Sequence, residues 1–277
     1  MPVAVAAEGV THRYPNGNEA LKGINLAITS GMTVALVGRN GSGKTTLAKH
    51  FNSLLKPTSG RVLVEGIDAS SQSASEMARK VGYIFQNPED QIFGSSILEE
   101  VTFGPKNLAM DKEQIEFNAM KALAMVGLQS SVSEHPYNLN YGQRKMLCLA
   151  SVLAMDPRII VMDEPNAGQD YHGLCLLGLI INQLKEKGKT IIVISHDMEF
   201  IARHCERTIL MSDGEIAKDD STRNVLSDQS KLRSYGIRPP QVTRLAISLS
   251  DHGVRHDLIT VEEMVEELIK QSRRKVS

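Results

Sequence analysis

The chain has 277 residues and a formal net charge of −1 at pH 7, from 31 basic and 32 acidic side chains. That length suits one large domain with an extension or two modest domains, and the near-neutral balance supplies no electrostatic reason to expect a nucleic acid partner. Met1-Pro2-Val3-Ala4-Val5 lacks the basic segment, apolar core and cleavage site of a signal peptide, and the longest apolar run, Leu174 to Ile181, is too short to span a bilayer. A membrane role is therefore expected only through a partner. The widely spaced Cys148, Cys175 and Cys205 are expected to be buried, reduced thiols.

In chain order, residues 1–30 alternate short apolar strands with turns such as Pro15-Asn16-Gly17-Asn18, which predicts antiparallel pairing. Thr33 to Val37 then reads as a short, fully buried strand, Gly38 to Thr45 as a glycine-rich loop and Thr46 to Phe51 as a helix. Three further apolar runs, Val81 to Phe85, Ile159 to Met162 and Thr190 to Ile194, have the unbroken character of parallel-sheet strands covered on both faces. The intervening region, about 95 to 156, is predicted to be a mostly helical inserted subdomain. Within it Asp111 caps a helix running toward Gly127, with Ile115, Ala119, Ala122, Leu123 and Val126 on one face.

Asp213-Gly214 marks a hairpin turn, and residues 220–277 form an extension beyond a domain predicted to span 1–219. Its last helix, near 260–272, carries an apolar stripe of Val261, Met264, Val265, Leu268 and Ile269. That stripe is expected to pack on its own domain, with a subunit interface as the alternative. His252 and His256 would share a helical face and could be read as a metal site, but Gly253 weakens that helix, so an exposed polar turn is expected.

The loop Gly38-Arg39-Asn40-Gly41-Ser42-Gly43-Lys44-Thr45 fits G-x-x-x-x-G-K-[ST] in the strand–loop–helix setting that pattern requires. Its glycines let successive backbone N–H groups turn toward phosphate oxygens, Lys44 reaches the β and γ phosphates, and Thr45 offers a hydroxyl to Mg²⁺. The helix that Thr46 opens points its positive end at the same anion. Asp163-Glu164 at the end of the strand Ile159 to Met162 supply one acid for the metal and a second to activate or orient water. Gln86 and His196 each follow a core strand, where ligand contacts gather in open α/β sheets.

Taken in order, the loop, Gln86, Leu139 to Gln143, Asp163-Glu164, Gly168 to Asp170 and His196 resemble the ATP-binding cassette (ABC) family over residues of about 3 to 220. The resemblance implies an α/β phosphate-loop NTPase core with an N-terminal antiparallel β subdomain, an inserted helical subdomain and a small C-terminal extension, with ATP and Mg²⁺ as cofactors. It further implies that Tyr14 stacks on adenine, that residues 38–46 hold the phosphates, and that Thr45, Gln86 and Asp163 hold the metal. Catalysis would fall to Glu164, His196, Gln86 and Lys44, with His196 as the switch histidine.

Phe85-Gln86-Asn87-Pro88-Glu89-Asp90-Gln91-Ile92-Phe93, Phe103-Gly104-Pro105-Lys106-Asn107-Leu108 and Arg238 to Leu245 resemble the ATPases of energy-coupling-factor (ECF) importers, which include cobalt and nickel uptake ATPases. This implies a vitamin or transition-metal ion as cargo, a second ABC ATPase, a transmembrane coupling subunit, a membrane protein that captures substrate, and a peripheral place on the cytoplasmic face of the cell membrane. Leu139-Asn140-Tyr141-Gly142-Gln143 occupies the place of the family signature Leu-Ser-Gly-Gly-Gln, which completes the partner subunit's ATP site.

Here Asn140 replaces serine, and Tyr141 adds bulk where glycine leaves the backbone accessible. The chain's own half-site is therefore expected to be intact and its donated half atypical, which favours a heterodimer with a standard ATPase over a homodimer. Gln169, where many relatives have leucine, bears on the same contact. Two other readings stay open: a regulatory nucleotide-binding subunit with little hydrolysis, and a soluble cassette ATPase outside transport.

Overall fold

The computed structural model describes residues 2–276. Two long strands open the chain, β1 (Val3–Arg13) and β2 (Glu19–Thr29), followed by β3 (Thr33–Val37), helix α1 (Lys44–Phe51), β4 (Ser59–Val64), β5 (Ile67–Asp68), the short helix α2 (Ala74–Met77) and β6 (Val81–Ile84). A first sheet of order β2-β1-β4-β5 is antiparallel throughout, as the strand-and-turn pattern of residues 1–30 predicts.

Helices α3 (Ile97–Asn107), α4 (Lys112–Met125) and α5 (Tyr141–Ala154) come next and pack on one another. Asp111 caps α4 by accepting from Gln114 N–H, and the five apolar positions expected on its inner face are all buried. The chain then alternates β7 (Ile159–Asp163), α6 (Tyr171–Glu186), β8 (Thr190–Ile194) and α7 (Met198–His204), and ends its sheet with the hairpin β9 (Arg207–Ser212) and β10 (Glu215–Ser221) around Asp213-Gly214.

The second sheet has the order β10-β9-β3-β8-β7-β6, with every neighbouring pair parallel except the terminal hairpin. Its central strands are apolar at consecutive positions because both faces are covered. Val34, Leu36, Val161 and Ile192 turn toward a core shared with α1 and the antiparallel sheet. Ala35, Val37, Ile160 and Val193 turn the other way, into a core shared with α3 to α7. Burial on both faces locks these strands in register and so fixes where their C-terminal ends, and the loops after them, lie.

Among the described residues four α-helices follow: α8 (Thr222–Leu226), α9 (Gln229–Ser234), α10 (Gln241–Ser248) and α11 (Val261–Val276). A small core of Ala246, Val254, Leu258 and Met264 holds the last two together. Arg223 ties the segment to α8 through a bond to the Asp257 carbonyl at 2.8 Å and an ion pair with Glu263, and Arg203 of α7 reaches Glu262 at 3.3 Å.

Two expectations change. The apolar stripe of α11 does not pack on its own domain as a whole: Met264 is buried, whereas Val261, Val265, Leu268 and Ile269 are exposed. The core beneath is only a few side chains wide and covers a single row of the helix. Cys148 and Cys205 are buried, but Cys175 is exposed because it lies on the outer side of α6, while Leu177 and Ile181 fill the inner side. His252 sits in the turn after α10, exposed as expected, and among the described residues no cluster of three or more His, Cys, Asp or Glu is placed to hold a metal.

Candidate functional site

One cleft of about 420 Å³ opens at the C-terminal edge of the parallel sheet, and its lining draws on the ends of four strands. Asn40, Gly41, Gly43, Lys44, Thr45 and Thr46 come from the loop after β3 and the start of α1. Gln86 comes from the segment after β6, Asp163 and Glu164 from the end of β7, and His196 from just beyond β8. Tyr14 and Asn18, from the β1–β2 turn, and Ala20, at the start of β2, complete the lining.

Glycine is required at Gly43, where φ is +99° and a Cβ would lie 2.6 Å from the Ala20 carbonyl oxygen. Backbone conformation and close approach both exclude a larger residue there, and the result is an open helix N-terminus facing the cleft. Lys44 is buried, and its ammonium donates to the carbonyls of Gly38 at 2.8 Å and Arg39 at 3.0 Å. Burial pulls the Lys44 pKa below its ordinary value, while Glu164 and Asp163 oppose that shift. Those bonds curl the loop around the lysine, and the Ser42 N–H closes the turn on the Arg39 carbonyl at 3.1 Å.

Thr45 Oγ1 donates to Asp163 Oδ2 at 2.9 Å, and the same oxygen accepts from the Tyr83 hydroxyl at 3.1 Å. Burial above all, then the Asp163 charge, drives the Tyr83 phenol pKa far up, so Tyr83 stays a donor. Threonine hydroxyl, glutamine amide and aspartate carboxylate are hard oxygen donors. Their convergence in a cleft with an anion-binding loop fits magnesium, which keeps several waters and takes few protein ligands. Thr45, Gln86 and Asp163 are the residues that would hold it. Magnesium, when bound, supplies positive charge to neutralise phosphate oxygens.

Glu164 occupies left-handed backbone with φ +49°, uncommon for a side chain of its size. Its N–H donates to the Ile194 carbonyl at 2.8 Å, and Oε2 accepts weakly from His196 N–H at 3.4 Å. His196 Nε2 lies 3.3 Å from Oε1, close enough to pair when the ring is protonated but out of line for a hydrogen bond, so Oε1 is buried without a donor. Burial raises the Glu164 pKa above the ordinary carboxylate value, with Asp163 adding to the rise and the His196 N–H, Lys44 and Lys145 opposing it. A carboxylate that lines a cleft and keeps one oxygen without a donor is suited to accept a proton from water. Burial, reinforced by the Lys44 charge, lowers the His196 pKa, which keeps the imidazole neutral near pH 7.

Not every expected residue reaches the cleft. Gly38, Arg39 and Ser42 do not line it: the first two hold Lys44 through their carbonyls, and the Arg39 side chain runs close to Gly236 in the C-terminal segment. Tyr14 is in place, with its hydroxyl 3.0 Å from Thr46 Oγ1 and its ring edge-on to His12 at 4.7 Å.

Behind it His12 and His50 form a buried pair whose bonds fix their tautomers. His50 Nδ1 donates to the Thr46 carbonyl at 2.7 Å, which leaves its Nε2 an acceptor, and His12 Nδ1 shares its proton between the Lys56 carbonyl at 3.1 Å and that Nε2 at 3.2 Å. None of Leu139 to Gln143 lines the cleft. They start α5, where Asn140 and Gln143 form a capping box of two bonds, 2.9 and 3.0 Å. The Tyr141 ring lies against Gly168, the Gln169 amide donates to the Gly142 carbonyl at 3.0 Å, and the Lys145 ammonium sits 5.7 Å from the Tyr141 ring centre.

Sequence reasoning missed Tyr83, Asn166, Ser195 and Lys145. Ser195 donates to Asn166 at 2.8 Å, tying the loop after β7 to that after β8. Lys145, nearly fully buried, donates to the Glu164 carbonyl. Its one sequence signal is its place at the head of an apolar helical run, Met146 to Ala150 following directly.

The family model described as "ABC transporter" matches residues 21–167, more than half of the chain. An energy-coupling factor transporter ATP-binding protein, EcfA, of Methanocaldococcus jannaschii is 40% identical over 243 residues, covering 87% of each chain. Among solved structures, cbiO1 of Clostridium perfringens, part of the ABC transporter complex cbiONQ, superposes with a TM-score of 0.73 at 32% identity over 84% of this chain and 94% of that one. The ATP-binding cassette MJ0796, seen as a dimer bound to ADP and phosphate, gives 0.72 at 30% identity over 79% and 98%. The chain spans less than half the length of three further curated relatives that are 39–41% identical to it.

Proposed function

The chain belongs to the ABC transporter family, and on that premise we propose that it is the ATP-hydrolysing, energising subunit of an ECF-type importer. The observation that carries this reading is the meeting of Lys44, Thr45, Asp163, Glu164 and His196 in one cleft beside an open helix N-terminus. ATP lies with its phosphates on the loop and its base toward Tyr14, and Glu164 takes the proton of the attacking water. The likeness to EcfA and to cbiO1 supports a vitamin or a transition-metal ion such as cobalt or nickel as cargo.

Among the described residues no helix is long and apolar enough to cross a membrane. A transmembrane coupling subunit and a substrate-capture subunit are the partners proposed to hold this chain at the cytoplasmic membrane face. Glu164→Gln tests the reading. It removes the proton acceptor and leaves the phosphate loop untouched, so ATP binding persists while turnover falls on the order of a hundredfold or more. Retained turnover would falsify the assignment.

The second ATPase is proposed to be a different chain. Asn140 spends its side-chain oxygen on capping α5, and Tyr141 stands where a glycine is expected, so the half-site offered in trans differs from the standard one. In a heterodimer the partner's standard signature completes this chain's cleft and leaves one strong site. The exposed row Val261, Val265, Leu268 and Ile269 supports a subunit contact through residues 220–277. Turnover by the isolated chain, compared with turnover after adding a candidate second ATPase, decides. Full cooperative activity of the chain alone removes the heterodimer preference and the low-activity regulatory reading together.

A further inference from the structure

Residue 164 is held at both ends of its peptide unit. Its N–H is fixed by the Ile194 carbonyl of β8 at 2.8 Å, and its carbonyl accepts from the Lys145 ammonium of α5 and, at 3.3 Å, from the Ala167 N–H. Between those anchors the backbone adopts a left-handed conformation that a glutamate does not favour by itself. Such a conformation persists only where surrounding contacts over-determine it.

Lys145 is only 4% exposed. A lysine ammonium taken that far from water needs strong partners, and this one has the Glu164 carbonyl, the faces of two acids, Asp163 and Glu164, and the Tyr141 ring. Tyr141 is itself seated on Gly168, four residues beyond Glu164 in the same loop. The Tyr141 and Lys145 side chains of α5 and Gly168 of the loop after β7 thus form one packed unit whose end point is the Glu164 backbone.

We propose that Lys145 is a positioning residue for hydrolysis, holding the Glu164 carbonyl so that the left-handed turn aims the Glu164 carboxylate at the attacking water. This inference rests on the reading of Glu164 as the proton acceptor. It gives the unusual Tyr141 a role within its own chain, as the cover over Lys145. It also places on one helix both the signature offered to the partner and the anchor of this chain's own catalytic acid.

The test is a double-variant cycle on the full-length chain, with the second ATPase present if turnover requires it. Nucleotide affinity, KM and kcat are measured for the wild type, K145M, K145R, E164Q and K145M/E164Q. K145M is expected to lower kcat about tenfold, the scale of one lost charge-assisted hydrogen bond, and to change nucleotide affinity by less than roughly twofold. K145R, which restores a cationic donor, recovers most of that loss. In the E164Q background K145M has no further effect on the residual rate, because Lys145 acts through Glu164.

Wild-type kcat in K145M, or an equal tenfold loss in both backgrounds, overturns the proposal. If K145M fails to fold, as judged by its thermal transition, K145Q takes its place in the cycle with the same outcomes. E164Q separates the two layers. If it leaves turnover intact, the Glu164 reading fails; if it abolishes turnover while the Lys145 variants match wild type, only the present inference fails.

Discussion

Replacing Gly168 with alanine tests the seat of Tyr141 directly. Gly168 has φ +76°, and a Cβ there would lie 2.4 Å from Tyr141 Cδ1 and 2.7 Å from Cε1. Two costs arise. Holding alanine in left-handed backbone costs about 1–2 kcal/mol, and forcing the ring aside in a packed site costs a further 1–3 kcal/mol or so. Gly168→Ala should therefore destabilise the protein by about 2–5 kcal/mol, which for a chain of this size lowers the melting temperature by roughly 4–10 °C.

With Tyr141→Ala already in place, the ring is gone and only the backbone cost of about 1–2 kcal/mol remains. The two substitutions should thus couple favourably by about 1–3 kcal/mol, as expected of residues in direct contact. Thermal unfolding of the four proteins without nucleotide measures this. Equal destabilisation by Gly168→Ala in both backgrounds would refute the packing of Tyr141 on Gly168, and with it the cover over Lys145.

Gly43→Ala places a methyl group against the Ala20 carbonyl at the mouth of the phosphate loop, and nucleotide affinity should fall on the order of a hundredfold by equilibrium titration; unchanged affinity would mean that the loop does not hold phosphate in this conformation. Thr45→Val removes the hydroxyl bonded to Asp163 and should raise the Mg²⁺ concentration for half-maximal turnover by about 10–100-fold, so an unaltered Mg²⁺ dependence would dismiss Thr45 as a ligand.

The buried His50, whose pKa is lowered by desolvation first and by the neighbouring His12 charge as well, should make the fold acid-sensitive. The unfolded chain binds the proton more readily, so this stability is fully present above a pH of about 6.5 and is lost as pH falls from there toward the lower folded-state value. His196 and His204 shift in the same direction and add to the effect. Melting temperatures measured at neutral and mildly acid pH should show a smaller drop for His50→Gln than for the wild type, and an equal drop would assign the acid sensitivity elsewhere.

Most of the cleft is legible in the sequence because its chemistry is local along the chain. Gly38 to Thr45 needs only a strand before it and a helix after it, and both are written in neighbouring residues. Asp163, Glu164, Gln86 and His196 could be placed because each ends or follows a buried parallel strand, and parallel strands present such ends at one edge. The antiparallel opening, the terminal hairpin and the inward face of α4 were equally readable, since periods of two and of 3.6 residues report which face is covered.

What the tertiary structure alone decided depends on which faces meet. No spacing links Lys145 to Glu164, Tyr83 to Asp163 or Tyr141 to Gly168. These contacts join separate elements, and whether a lysine in an apolar helix is buried or an apolar stripe is covered depends on what packs against it. The stripe on α11 and the outward Cys175 show the same limit, for an amphipathic pattern states that a face can be buried without saying what buries it. The sequence by itself thus determined the fold class and the loop-and-helix half of the candidate site. Tertiary packing decided how Glu164 is held and how Tyr141 is seated, because both are set by contacts between α5 and the loop after β7.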